Sequence, residues 1–232
     1  MRNVFYYLWA ILIFTGCSST TKIVKFPKKP DEVFANNNLK DFFRVNKTPN
    51  IVLRVPNSSD KATSNTSIGR DNSVLYNSIE KELLKQGFSV RDRGLFNEIM
   101  DKAGSTQYSQ IKDLTNTDLI LEVIEINPAV LYTTNKVVSV YKKAEKDNVG
   151  SIDYKMYGAA VEFRLIMVKN NEIAGSYKYN YPPCPYGCEL ESFKLTGKNK
   201  QIELKETVSI NVLEEFLKIC IQDLIKSIGE NN

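Results

Sequence analysis

Apolar and polar positions alternate with a readable period only from residue 51 onward. Ile51, Leu53 and Val55 alternate with polar or smaller neighbours and Pro56 stops the run, which predicts a short strand. Asn57 to Asn72 is mostly Ser, Thr, Asn and Asp and reads as a loop. Leu75, Ile79, Leu83 and Leu84 then recur at helical spacing behind Asp71 or Ser73 as N-cap, and Gly87 is placed to end the helix. Phe88 to Arg91 starts a second strand, and Leu95, Phe96, Ile99 and Met100 give one side of a second helix with Asp92 as its cap. Ile111 and Leu114 suggest a further helical turn.

The run Leu119 to Ile126 is apolar on both faces apart from Glu122 and Glu125, as expected of a strand inside a sheet. Between Asn127 and Asp153 the pattern splits: Val137, Val138, Val140 and Tyr141 favour a strand, whereas Lys142 to Asn148 is strongly polar. A hairpin follows. Val161, Phe163, Leu165 and Met167 alternate on one arm, Ile173, Tyr177, Tyr179 and Tyr181 on the other, and Lys169-Asn170-Asn171 supplies the turn. The last element is an amphipathic helix with Leu213, Phe216, Leu217, Cys220, Ile221, Leu224, Ile225 and Ile228 along one side.

Residues 18–48 carry Ser, Thr, Lys, Pro and Asn without a clear period and read as a tether. As a flexible coil they would reach on the order of 30 Å. Ahead of them, Val4 to Phe14 is apolar and follows a lone Arg2. That is about half the roughly 20 residues a membrane helix needs, so it reads as the core of a signal peptide and not as a span.

Composition narrows the chemistry. The formal charge of +4 is spread over interspersed lysines and acids, with no basic stripe carrying aromatics, so no nucleic-acid groove is expected. The chain has no histidine. This excludes Ser-His-Asp and Cys-His catalysis and two-histidine zinc sites. No G-x-S-x-G, G-x-x-x-x-G-K or G-x-G-x-x-G occurs, and Glu189 with Glu191 reads as an acidic patch, so neither catalytic residues nor a cofactor is expected.

Four cysteines are present. Cys184 and Cys188 flank Pro185, Tyr186 and Gly187, and an exported protein meets an oxidising compartment, so a local disulfide is the leading reading. A zinc site would have only Cys184, Cys188 and Cys220 to draw on, so no metal is expected. Cys220 falls on the apolar stripe of the last helix, as a small buried hydrophobe does.

Thr15 and Gly16 before Cys17 resemble the lipobox of bacterial lipoproteins, with Phe14 where an aliphatic residue is usual. The resemblance implies cleavage after residue 16, acylation of Cys17, and an anchor in outer-membrane lipid with the domain facing the periplasm. Ser18 and Ser19 do not resemble an inner-membrane retention signal. The chain then divides into a signal peptide (1–16), a lipidated tether (17–48) and one domain (49–230).

Gln86-Gly87-Phe88-Ser89-Val90-Arg91-Asp92-Arg93-Gly94-Leu95, continuing to Glu98 and Ile99, resembles the strand-to-helix signature of the curli secretion lipoproteins, the CsgG-like family. Thr117 to Val123 resembles the family's third strand, with Asp118 and Glu122 in place of small residues. Arg164 to Val168 with Glu172-Ile173 resembles its later hairpin, with Asn171 where a turn glycine is typical. The order of elements agrees from about residue 50 to 228.

The resemblance implies an α/β fold related in shape to anticodon-binding domains, a mixed sheet of about five strands with three helices packed on it. It implies a non-enzymatic envelope protein that works through protein contacts in assembly or secretion, with a homo-oligomer as one form. Asp92 and Arg93 are candidates for a subunit or partner contact, besides capping the helix. The alternative is a ring-forming outer-membrane channel subunit exporting curli-like fibre proteins. Channel formers of the family carry an aromatic constriction loop between the first strand and first helix, whereas Asn57 to Asn72 holds no Phe, Tyr or Trp. The candidate membrane hairpin, residues 127–153, is interrupted by Lys136, Lys142, Lys143, Glu145, Lys146 and Asp147.

Overall fold

The computed structural model describes residues 21–55, 72–103, 112, 115–141, 144–189, 195–196, 201–202 and 207–229. In chain order these form β1 (Thr21–Val24), β2 (Glu32–Ala35), α1 (Asn37–Val45), β3 (Asn50–Arg54), α2 (Asn72–Lys85), β4 (Ser89–Val90), α3 (Arg93–Ala103), β5 (Leu119–Tyr141), β6 (Ala144–Met167), β7 (Glu172–Tyr181), β8 (Cys188–Glu189), β9 (Leu195–Thr196), β10 (Gln201–Ile202) and α4 (Ile210–Gly229). The fold is mixed α/β: one sheet with the path β2-β7-β6-β5-β1-β8, in which β3 joins the start of β5 and carries β4 at its side. Most pairings are antiparallel; β3 runs parallel to both β4 and β5.

The main core lies between one sheet face and helices α1, α2 and α4. Val123, Val161, Phe163, Leu165, Tyr177 and Tyr179 from the sheet meet Leu39, Leu75, Ile79, Leu83, Leu213, Leu217, Ile221 and Leu224 from the helices. On the opposite face α3 contributes Phe96 to a smaller cluster with Val52, Ile120, Ile166 and Val168. Further along that face Glu122 is held between Arg54 (3.0 Å) and Arg164 (3.3 Å). α2 ends as its sequence predicts: Gly87 has φ +88°, Gly87 N–H donates to Leu84 O and Phe88 N–H to Leu83 O, which turns the chain into β4.

The expected count of about five strands and three helices is too low. The main sheet has eight strands, β9 and β10 form a separate ribbon, and four helices are described. The tether expected over residues 18–48 is also not a coil in its described part. β1 pairs with β5 and β8, β2 pairs with β7, and α1 packs Leu39 into the core with Phe42 and Phe43 against it. These elements are short and bury little. β2 is exposed at its first three positions, so backbone pairing and not a hydrophobic alternation defines it. α1 starts at Asn36, whose side chain accepts from Leu39 N–H at 2.9 Å. Asn36, Asn38 and Asn170 all donate to Glu172, tying the helix to the β6–β7 turn.

The β6–β7 hairpin forms as expected, with a short helical turn over Val168–Asn170 and Asn171 at φ 51°. One expected inward residue is displaced. The register passes from Leu165↔Gly175 to Ile166↔Ile173, so Ala174 is an extra residue and Ile173 turns outward, 56 % exposed.

Glu82 on α2 is the buried polar link to α4. It accepts from Gln222 Nε2 at 2.8 Å, from Gln86 Nε2 at 3.0 Å and from Lys85 at 3.3 Å. The Gln222 and Gln86 bonds outweigh burial and hold its carboxyl below the ordinary value. A depressed folded value gives stability that is complete above the unfolded pKa of about 4.3 and is lost as pH falls through the folded one. Glu82→Gln is therefore expected to cost about 1–2 kcal/mol at neutral pH and to flatten the acid-side loss of stability, as read by urea unfolding at pH 7 and pH 3.

Tyr179 has the opposite sign. Its hydroxyl is buried without a hydrogen-bond partner among the described residues, and burial raises its pKa. Removing an unsatisfied buried hydroxyl while keeping the ring is expected to stabilise by about 1 kcal/mol, so Tyr179→Phe should raise the unfolding midpoint.

Candidate interaction groove and anchor end

Two places carry the residues singled out by sequence. The first is an open groove of about 480 Å³ lined by Asn77, Glu80 and Leu84 of α2, Val90 of β4, and Arg91, Asp92, Arg93 and Gly94 leading into α3. Asp92 Oδ1 accepts from Leu95 N–H at 2.6 Å, the N-cap expected of it. Arg93 then points back to α2. Its Nε lies 3.8 Å from Glu80, and its guanidinium sits 5.3 Å from the centroid of the Tyr76 ring. Arg91 is held by β3: its N–H donates to Ile51 O, and its Nη2 donates to Asn50 Oδ1 at 3.0 Å.

The groove is not internally satisfied. Nη1 of Arg93 and Nε of Arg91 are buried and have no hydrogen-bond partner among the described residues. Burial raises the pKa of Glu80; Arg93 pulls it down and Asp92 pushes it up. Leu84, which lines the groove, stands 55 % exposed on α2. An open groove of charged side chains beside an exposed leucine suits a polypeptide surface that brings a polar and an apolar side chain together. Sequence reasoning placed Asp92 and Arg93, missed Asn77 and Glu80, and set Leu84 on the apolar stripe of its helix, whereas the structure exposes it at the groove. The available signal was Tyr76, Glu80 and Leu84 at four-residue spacing, a helix face beside the core stripe.

The second place is the far end of the β5–β6 hairpin. These strands pair from Leu119↔Met167 out to Tyr141↔Ala144, with register shifts at Val123/Glu125, Asn127/Val130 and Thr134/Lys136. Residues 127–141 and 144–153 are thus a continuation of the sheet. β1 lies along the outer part, Thr21 opposite Val140 and Val24 opposite Val137, and β8 lies against β1. Together they enclose a second core of Val24, Phe26, Tyr132, Val137, Tyr154 and Cys188. The other hairpin face exposes Thr133, Lys136, Asp153 and Lys155.

Cys184 and Cys188 are joined by a disulfide with Cα atoms 5.4 Å apart, and Met156 Sδ lies 3.5 Å from Cys188 Sγ. The closed turn leaves Tyr186 96 % exposed. Cys220 is a free thiol buried in the main core, its pKa raised by that burial. Among the described residues no group of three His, Cys, Asp or Glu side chains could hold a metal ion, and no helix is long and apolar enough to cross a membrane. Cys17, Asn57 to Asp71, Ile111, Leu114, Lys142, Lys143 and Glu191 lie outside the described residues.

No protein-family model matches the chain, and no curated protein matches it. Among solved structures it is similar to the PelC dodecamer from Paraburkholderia phytofirmans in space group P6, with 9 % identity over 88 % of this chain and 99 % of that one, at TM-score 0.36. A variant PelC dodecamer from the same organism gives 11 % identity over 92 % and 99 % at TM-score 0.38. Lipoprotein GNA1162 from Neisseria meningitidis gives 11 % identity over 77 % and 99 % at TM-score 0.36. None of these three is a curli secretion protein, and at such TM-scores the likenesses carry no weight in assigning a role to this chain.

Proposed function

We propose that the chain is an envelope lipoprotein, anchored in outer-membrane lipid through acylated Cys17, that acts by protein contact in envelope assembly or secretion and catalyses no reaction. The groove of Glu80, Asp92 and Arg93 is the observation that supports this reading: it is open to solvent and sets charged side chains beside the exposed Leu84. The partner is an envelope protein or a second copy of the chain. A CsgG-like task is the finer form of the reading, and it rests on the sequence signature from Gln86 to Ile99.

Photo-crosslinking in cells tests it. A photoreactive residue at Leu84 is expected to give an adduct that Arg93→Glu weakens at least about tenfold, because a cation becomes a repelling carboxylate. Cys17→Ala is expected to move the protein out of the membrane fraction. No adduct from any groove position, or membrane partition unchanged by Cys17→Ala, would overturn the reading.

The channel alternative draws support from the length of the β5–β6 hairpin, since 23 and 24 residues exceed the roughly 10 needed to cross a bilayer. Its exposed face speaks against it. Lys136, Asp153 and Lys155 would meet hydrocarbon, at a cost of about 2–4 kcal/mol for each lysine near the midplane. Conductance of the purified lipoprotein in planar bilayers would favour the channel.

A further inference from the structure

The register of β1 fixes something that the anchor alone leaves open. Thr21 is paired with Val140, one residue before the end of β5, and the pairing continues through Val24↔Val137. Only residues 18–20 separate Cys17 from that strand. Four residue steps span at most about 14 Å, so Cys17 lies within that distance of the strand position beside Val140. An anchor on Cys17 therefore acts on the closed end of the β5–β6 hairpin, not on the helical end of the domain.

We infer that this closed end is the membrane-facing pole of the protein, held end-on against a lipid surface, and that the hairpin is a stalk carrying the groove away from the bilayer. The inference rests on the acylation of Cys17 proposed above. The groove stands at the other pole: β4 pairs with Asn50 and Ile51 of β3, and Ile51 pairs with Leu119 at the start of β5. Twenty steps of strand separate Ile120 from Val140. At about 3.3 Å per step this is roughly 65 Å of contour, somewhat less once the register shifts bend it.

Two further observations define the contact. Around the closed end the sequence sets Lys22, Lys25, Lys136, Lys142, Lys143 and Lys146 against Glu145, Asp147, Asp153 and Glu189, a small positive excess, so the acyl chains supply most of the attraction and charge a smaller part. The charged outer face at Lys136, Asp153 and Lys155 keeps the strands out of hydrocarbon, so the contact is end-on and not a span. β1 is the strap that keeps the stalk upright, because releasing it would lengthen the free chain from three residues to the start of β2 at Glu32.

Energy transfer on the full lipidated chain in liposomes tests this. A donor is placed at exposed Lys136 (Lys136→Cys) or exposed Lys169 (Lys169→Cys), in a background where Cys220→Ser removes the buried thiol, with an acceptor on lipid headgroups. Strong quenching is expected at position 136 and little at 169. A twenty-residue Gly/Ser insertion between Ser19 and Thr20 adds on the order of 25 Å of reach and should weaken quenching at 136. Equal quenching at the two positions, or stronger quenching at 169, would overturn the inference. The mass of the extracted protein separates the two proposals: an acylated Cys17 with equal quenching defeats only the orientation, and an unacylated Cys17 defeats the anchor and the orientation together.

Discussion

Phe163→Ala is expected to destabilise the domain by about 3–5 kcal/mol, the range for emptying an aromatic site in a packed core. Phe163 is fully buried on β6, opposite Val123 of β5 and Tyr177 of β7, so it sits at the centre of the sheet face that the helices cover. Its neighbours belong to strands on both sides and cannot collapse into the space without disturbing two ladders. Against a total stability of about 5–15 kcal/mol the loss is a large fraction of the whole. Urea unfolding with an unchanged slope checks it. The control is Ile173→Ala, expected to change stability by less than about 0.5 kcal/mol, because the extra residue Ala174 turns Ile173 to solvent. A large loss at Ile173 would mean that the bulge is misplaced.

What was legible in the sequence follows from how local each signal is. β3, α2, β4 and α3 are marked by residues acting on their own backbone: Gly87 at positive φ ends α2, and Asp92 caps α3 through Leu95 N–H. The β6–β7 hairpin and α4 carry long stripes with a single period, and these were read correctly apart from Ile173. Residues 127–153 were ambiguous because the alternation is broken three times by register shifts. Each extra residue reverses which parity faces the core. At one of them Thr134 Oγ1 accepts from Lys136 N–H, and at another Asn127 Oδ1 accepts from Ala129 N–H beside Pro128, which has no N–H to offer a ladder. Val137 and Val138 are adjacent on an unbroken stretch of ladder and both buried, so both faces of the sheet are covered there and no alternation shows. β1 and β2 left no readable period because they are short and owe their place to pairing with distant strands, whereas α1 carries one in Leu39, Phe42 and Phe43 behind Asn36 that was hidden among the polar residues around it. In the groove, Asp92 and Arg93 were visible as a helix start, whereas Glu80 enters only through a tertiary approach.

Gly187→Ala is expected to cost about 2–4 kcal/mol, concentrated in the second core. Gly187 has φ +95°, in the region that strains any residue with a Cβ, by about 1–2 kcal/mol. The added Cβ would also lie 2.2 Å from Ile23 Cγ2, so β1 and the turn could not keep their present spacing, at about 1–3 kcal/mol more for overpacking. Gly187 N–H donates to Cys184 O at 2.7 Å inside the turn closed by the disulfide, so the turn cannot relax freely away from the clash. The strain falls on the weaker partner, the two-residue pairing of β8 with Ile23 and Val24. Hydrogen exchange should then show lost protection at Ile23, Val24 and Cys188, while Leu217, Ile221 and Leu224 of α4 keep theirs. If protection were lost equally in α4, the second core would not be a separate unit. If it is lost only around β1, a single methyl group at the disulfide turn loosens the strap that sets how far the domain stands from its anchor, and quenching at position 136 should fall with it.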